Sequence, residues 1–244
     1  MNGRVLRRVF LLATALVAAR ADAQGFFGPT QPTAWQPELD AYVELADGLR
    51  LMGQVQPYLV PQQGLVQCTF GVYGAFLLAD VFRPLLSPDR AKTHAIELRL
   101  GALYTPTFDP GTSGTTGSLW TLQAEATPRV NLPLQVLASL RNRVSFNWGT
   151  GGMPGFTFRY RGRLQLEREF AVGRTPLTPY ANVEFFWQQA PAQWTQFRIQ
   201  GGLQVGFDAF AGGQTVELNF SAVTNLEPSR TWTPLVGVIL STYF

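Results

Sequence analysis

The chain has 244 residues, 46% hydrophobic and 14% charged, with a formal net charge of +3, one cysteine and one histidine. Those counts exclude an intramolecular disulfide, a Cys-rich metal site and a histidine pair on a metal. Beyond residue 23 no apolar run approaches the ~20 residues that a transmembrane helix needs.

The N-terminus reads as a secretory signal. Arg4, Arg7 and Arg8 form a basic region, Val9 to Ala19 an apolar one, and Ala21-Asp22-Ala23 a small-x-small cleavage site. The apolar run is too short to anchor the chain easily in a bilayer. Residues 1–23 are therefore assigned to a signal peptide and 24–244 to one mature domain. Cleavage removes four arginines and one aspartate from nineteen basic and sixteen acidic side chains, which leaves fifteen of each. A neutral mature chain gives no support to nucleic-acid binding. Lys92 is the only lysine, so nearly all positive charge is guanidinium, which suits fixed hydrogen-bonded networks.

Eleven strands are predicted along the mature chain, at 37–46, 49–59, 64–78, 94–106, 117–129, 134–148, 156–171, 177–188, 195–209, 213–225 and 232–244. Turn residues separate them, such as Asp47-Gly48, Gly173-Arg174 and Gly212-Gly213. The segment Phe82 to Lys92 reads as a longer connection. Side chains on a strand alternate between faces. From Phe156 to Phe170 the even positions are apolar except Gly162 and Arg168, while the odd ones include Arg159, Arg161, Arg163, Glu167 and Glu169. In 134–148 the apolar face is broken only by Asn142. In 195–209 Phe197, Ile199, Leu203, Val205 and Phe207 oppose Gln196, Arg198, Gln200 and Gln204. A β-sandwich also alternates, with its apolar face inside. The signal peptide and the alternating strand that ends at Phe244 favour a wall between lipid and water instead.

Loop lengths orient the strands. Counting back from a periplasmic C-terminus puts the longer connections outside and the shorter ones inside, with 79–93 against the trend. Eleven strands would start the first one outside. Bacterial barrels usually have an even number, so a further strand is expected within Phe26 to Trp35.

Several motifs resemble an outer-membrane family catalogued as domain of unknown function 2490. They are Pro37-Glu38-Leu39-Asp40-Ala41-Tyr42-Val43-Glu44-Leu45, Asp47-Gly48-Leu49-Arg50-Leu51, Glu125-Ala126-Thr127-Pro128-Arg129 and Arg141-Asn142-Arg143. Tyr160 to Arg168, Leu177 to Glu184 and the ending Tyr243-Phe244 continue the series. The resemblance covers most of the mature chain and implies a barrel with no assigned activity.

Barrel hydrolases and acyltransferases generally use a histidine as general base. His94, the only candidate, is placed on a strand rim beside Lys92. Glu167 and Glu169 could form a carboxylate pair, but no substrate pocket is visible in the sequence. The stronger constellation is Arg141, Arg143, Arg159, Arg161, Arg163 and Arg198 with Glu167 and Glu184, all expected to face the lumen. Neighbouring strands bring them onto one wall. They either attract anions into an aqueous path or pair into a plug. Cys68 is expected to face lipid, and Tyr104, Trp120, Trp148 and Trp187 to form an interface girdle. The expectation is an all-β, up-and-down antiparallel transmembrane β-barrel of about twelve strands in the Gram-negative outer membrane. Its expected partners are lipid, small solutes and the barrel assembly machinery, which would read Phe244. No cofactor, metal or catalytic residue is expected. The leading function is a narrow small-solute pore or a structural envelope barrel, and the alternative is a barrel enzyme acting on lipid or envelope polymers.

Overall fold

The structure is a computed structural model that describes residues 34–61, 63–80, 89–109, 114–151, 153, 155–173, 175–189, 192–207, 213–226 and 232–244. The signal peptide and most of the expected additional strand, up to residue 33, lie outside the described residues. Among the described residues twelve strand segments form one sheet. They are β1 (Ala34–Ala46), β2 (Leu49–Val60), β3 (Gly64–Asp80), β4 (His94–Phe108), β5 (Thr115–Leu132) and β6 (Val136–Thr150). Then come β7 (Phe156–Arg168), β8 (Phe170–Val172), β9 (Thr175–Gln188), β10 (Gln193–Phe207), β11 (Gln214–Asn225) and β12 (Trp232–Tyr243). β7 and β8 both pair with β9 and make one wall strand interrupted at Glu169, so eleven strands close the ring.

Chain neighbours pair antiparallel around the wall, but β1 pairs β12 in parallel, from Ala34 opposite Leu235 to Tyr42 opposite Tyr243. An up-and-down chain reverses at every turn, so an odd number of strands makes the first and last run the same way. That parallel seam replaces the even count expected from sequence. Trp35, assigned from sequence to the additional strand, belongs to β1.

The distribution of polarity is inside-out relative to a water-soluble protein. The largest fully buried side chains are Arg50, Gln214, Glu97, Glu184 and Thr215. Leu39, Val72, Leu100, Leu122, Leu164 and Phe220 stand exposed on the outer face. This separates an outer-membrane-type barrel from a sandwich with the same alternation. Asn142, the outward exception, accepts a hydrogen bond from the Tyr160 hydroxyl at 2.7 Å, so the outer face carries a satisfied pair. Arg168, also on the apolar face, stacks its guanidinium 4.8 Å from the Phe170 ring centroid near the strand end.

Turns at the end carrying the C-terminus are short, at 47–48 and 133–135 among others, with 81–93 the exception. Near the opposite end lie the ring pairs Tyr104–Trp120, Trp148–Phe156, Phe158–Trp187, Phe185–Trp194 and Phe197–Trp232. Such a belt suits a membrane interface.

Phe244 lies past the last bridge yet belongs to the seam. Its N–H donates to the Tyr42 carbonyl at 2.9 Å, and its carbonyl accepts from Glu44 at 3.1 Å. Deleting Phe244 removes both bonds, each contributing about 0.5–1.5 kcal/mol. The expected outcome is a lower temperature for loss of heat-modifiable gel mobility. An unchanged midpoint would show that the seam does not depend on this residue.

Candidate functional site in the barrel interior

Inward positions of the strands enclose a cavity of about 430 Å³. Its chemistry follows from strand register. Glu184 on β9 lies directly opposite Arg163 on β7 and Arg198 on β10. Its carboxylate accepts two hydrogen bonds from the Arg161 terminal nitrogen at 2.6 and 2.7 Å and pairs with Arg163 at 3.1 Å and Arg198 at 3.6 Å. Glu125 on β5 faces Arg99 on β4 and Arg143 on β6. It pairs with Arg143 at 2.8 Å and Arg141 at 3.1 Å. Glu97 on β4 holds Arg99 at 2.6 Å, Arg50 at 3.1 Å and Arg129. Glu184 and Glu125 thus sit among guanidiniums from both flanking strands, and Glu97 among guanidiniums from its own strand, from β5 and from β2. Charge-assisted, partly bidentate bonds of this kind are the strong ones.

All eight residues singled out from sequence are in this interior. Arg141, Arg143, Arg159, Arg161, Arg163, Glu167 and Arg198 line the cavity, and Glu184 is fully buried behind its three arginines. Arg159 makes no ion pair among the described residues and is the most exposed of the set. Phe186 stands between two of the arginines, with Arg161 5.0 Å and Arg198 5.6 Å from its ring centroid. Glu167 does not pair with this set. It pairs with Lys92 at 2.8 Å and accepts from Gln165 at 2.7 Å.

The reason is the connection that breaks the loop-length trend. Its last part, the 3-10 turn Arg90–Thr93, folds into the barrel end. Ala91 is fully buried there, and Lys92 reaches Glu167 on β7 and Gln204 on β10, the latter at 2.8 Å. Asp89 caps the turn through the Ala91 N–H and accepts from Arg50 on β2 at 2.9 Å. The turn therefore ties strands on separate parts of the wall and narrows the lumen at that end.

Sequence reasoning missed Arg50, Asp89, Glu97, Arg99, Glu125 and Arg129 as members of the network. A signal for Arg50 was present in β2, where Arg50, Met52, Gln54, Gln56 and Tyr58 share the inward phase. Tyrosines fill much of the remaining space. Tyr73 lies over Gly101 and Tyr180 over Gly202, where an added Cβ would come within 2.2 and 2.6 Å of the respective rings. Tyr73, Tyr42, Met52 and Tyr243 form the buried apolar cluster inside the barrel. His94 starts β4 with its ring 3.2 Å from the Thr93 hydroxyl and does not line the cavity. Cys68, on the outward phase of β3, is half-buried. No group of three or more metal-ligating side chains occurs among the described residues.

No family model and no curated protein matches the chain. Among solved structures it is similar to the β domain of the Bordetella autotransporter Brka, with 16% identity, a TM-score of 0.44 and coverage of 79% of this chain and 82% of that one. The barrel assignment stands on the strand pairing and inside-out polarity rather than on this likeness.

Replacing Glu184 with Gln leaves three partly buried guanidiniums facing a neutral amide. Breaking a buried pair costs about 3–5 kcal/mol, so a marked fall in the unfolding midpoint of the detergent-solubilised barrel is expected. A midpoint within error of the unmodified protein would mean that water already neutralises these arginines.

The turn also sets a pH dependence. Burial pushes Asp89 up, but Arg50 and Lys92 outweigh it and hold the carboxyl below its usual range. Burial pushes Lys92 down, and Glu167 and Asp89 outweigh it and hold the amine above its usual range. The Asp89 contribution is full above the ordinary pKa of ~3.9 and is lost as pH falls through the lower folded value. The Lys92 contribution is full below ~10.4 and is lost as pH rises through the higher folded value. Protease protection of this turn should therefore be flat between about pH 4 and pH 10. It should fall on both sides, and the acid limb should disappear in Asp89→Asn.

Proposed function

We propose that the protein is a Gram-negative outer-membrane barrel, exported by its signal peptide and not an enzyme, that gives small solutes a narrow path with a preference for anions. One observation carries the reading. Arg141, Arg143, Arg159, Arg161, Arg163 and Arg198 on β6, β7 and β10 face one cavity, while the carboxylates pairing with them are Glu125 and Glu184. Fixed guanidiniums in excess over carboxylates lower the energy of an anion in a narrow aqueous space. Outward Leu, Val and Phe side chains supply the lipid contact. The aromatic pairs at one end supply an interface belt, and Phe244 on the seam strand supplies a terminal residue for the assembly machinery. The resemblance to domain of unknown function 2490 belongs to the same reading.

A structural barrel is the second reading, favoured by the inward Arg90–Thr93 turn with Lys92 across the lumen. Planar-bilayer recordings separate the two. In a salt gradient the path should give a reversal potential of anion sign. Arg159→Glu, at a position free of ion pairs among the described residues, should reduce or invert it without loss of folding. A folded, heat-modifiable barrel with no conductance in any condition would overturn the solute-path reading in favour of the structural one.

A further inference from the structure

Two arginines stand directly opposite each other on the inner wall. Arg143 on β6 pairs in register with Arg161 on β7, and Arg141 with Arg163 two residues along. Like charges directly opposite on neighbouring strands are destabilising. The flanking glutamates offset part of this. Arg143 donates from Nε to Glu125 at 2.9 Å, and its Nη2 lies 2.8 Å from the same carboxylate. Arg161 donates to Glu184 from Nε at 3.1 Å and from Nη2 at 2.6 and 2.7 Å. Glu125 is shared with Arg141, and Glu184 with Arg163 and Arg198, so neither carboxylate neutralises its arginine in full.

Both guanidiniums use the same edge. The planar fork carries Nε and Nη2 on one side and Nη1 on the other. Arg143 turns its Nε–Nη2 edge to β5 and Arg161 turns its own to β9, away from the β6–β7 boundary on either side. The Nη1 groups are left on the edges that face each other across that boundary. Neither Nη1 has a partner among the described residues, and both are open to the cavity. The Arg143 side chain is 19% exposed and that of Arg161 23%. Arg161 lies in the field of Arg143 on one side and of Arg198 on the other.

The complement of two facing N–H groups with surplus positive charge is an anion with an oxygen for each. An oxyanion meets both at once, whereas a halide presents one point. A second negative charge adds to the gain, because each arginine shares its carboxylate with others. Resting on the solute-path reading and deepening it, we infer that the Arg143–Arg161 rung is a subsite for a phosphate group, as the free ion or as a small phosphomonoester. Phosphate oxygens accept from Nη1 of both arginines, and Arg198 adds positive field beyond Arg161. The cavity, at about 430 Å³, admits the group with a small substituent. No covalent bond is made or broken.

Titration calorimetry on the detergent-solubilised barrel, at constant ionic strength in phosphate-free buffer, tests this whether or not the lumen conducts. The probes are inorganic phosphate and glycerol phosphate, with acetate and chloride as monovalent anions. At least one phosphate probe should bind about tenfold or more tighter than acetate and chloride. Arg161→Lys keeps the positive charge and a donor for Glu184 but has no second edge. It should lower phosphate affinity about tenfold and leave chloride affinity unchanged. Arg143→Lys makes the matching change on the other side of the rung should Arg161→Lys fail to fold, and the comparison of probes on the unmodified protein needs neither. Either order of the two phosphate probes supports the subsite and tells the free ion from the ester. Acetate or chloride binding as tightly as both phosphate probes would overturn the inference, as would phosphate affinity unchanged in a folded lysine variant. Anion-selective conductance without phosphate preference sinks the inference and keeps the solute path. Phosphate binding without conductance keeps the subsite and sinks the path.

Discussion

Cross-strand pairing of buried glutamates with guanidiniums is the interaction on which the rest of this barrel depends. A polar interior cannot be packed by apolar burial, so the inner wall needs bonds strong enough to fix each strand against the next. Glu125 and Glu184 do this by register, each standing directly opposite an arginine on both neighbouring strands. A slip of one residue would move these groups to the lipid face, where an arginine near the bilayer midplane costs about 2–4 kcal/mol. The ion pairs and the lipid together therefore specify one register. Neither would do so alone, since alternation is compatible with several pairings.

The seam is stabilised differently. β1 and β12 run parallel, and no salt bridge joins them among the described residues. Their inward contact is aromatic: Tyr42 and Tyr243 stack with centroids 4.8 Å apart, and Arg50 lies 4.5 Å above the Tyr42 ring. Arg50 also holds Asp89 and Glu97, so the seam connects to the ion-pair network and to the inward turn. The turn Arg90–Thr93, with Asp89 before it, thereby gains a physical role as a brace across one end of the lumen.

The interior charge is segregated. Guanidiniums dominate β6, β7 and β10, while Glu38, Asp40 and Glu217 on β1 and β11 are held by neutral donors. Counting charges along the chain is therefore a poor guide: a neutral total hides an uneven distribution around the wall.

The sequence by itself determined the strands and their faces. Period-two alternation in 156–170 and 195–209 is a local property, and the cost of charge in lipid fixes which face is outward. The inward placement of Arg141, Arg143, Arg159, Arg161, Arg163, Arg198, Glu167 and Glu184 follows from that alone. Tertiary structure decided how the ring closes and who pairs with whom. Eleven strands were legible, but their closure by a parallel seam was not, because whether β1 meets β12 depends on all the strands between them. Lys92 as the partner of Glu167 was invisible because the turn reaches across the lumen, over a separation that no local pattern encodes.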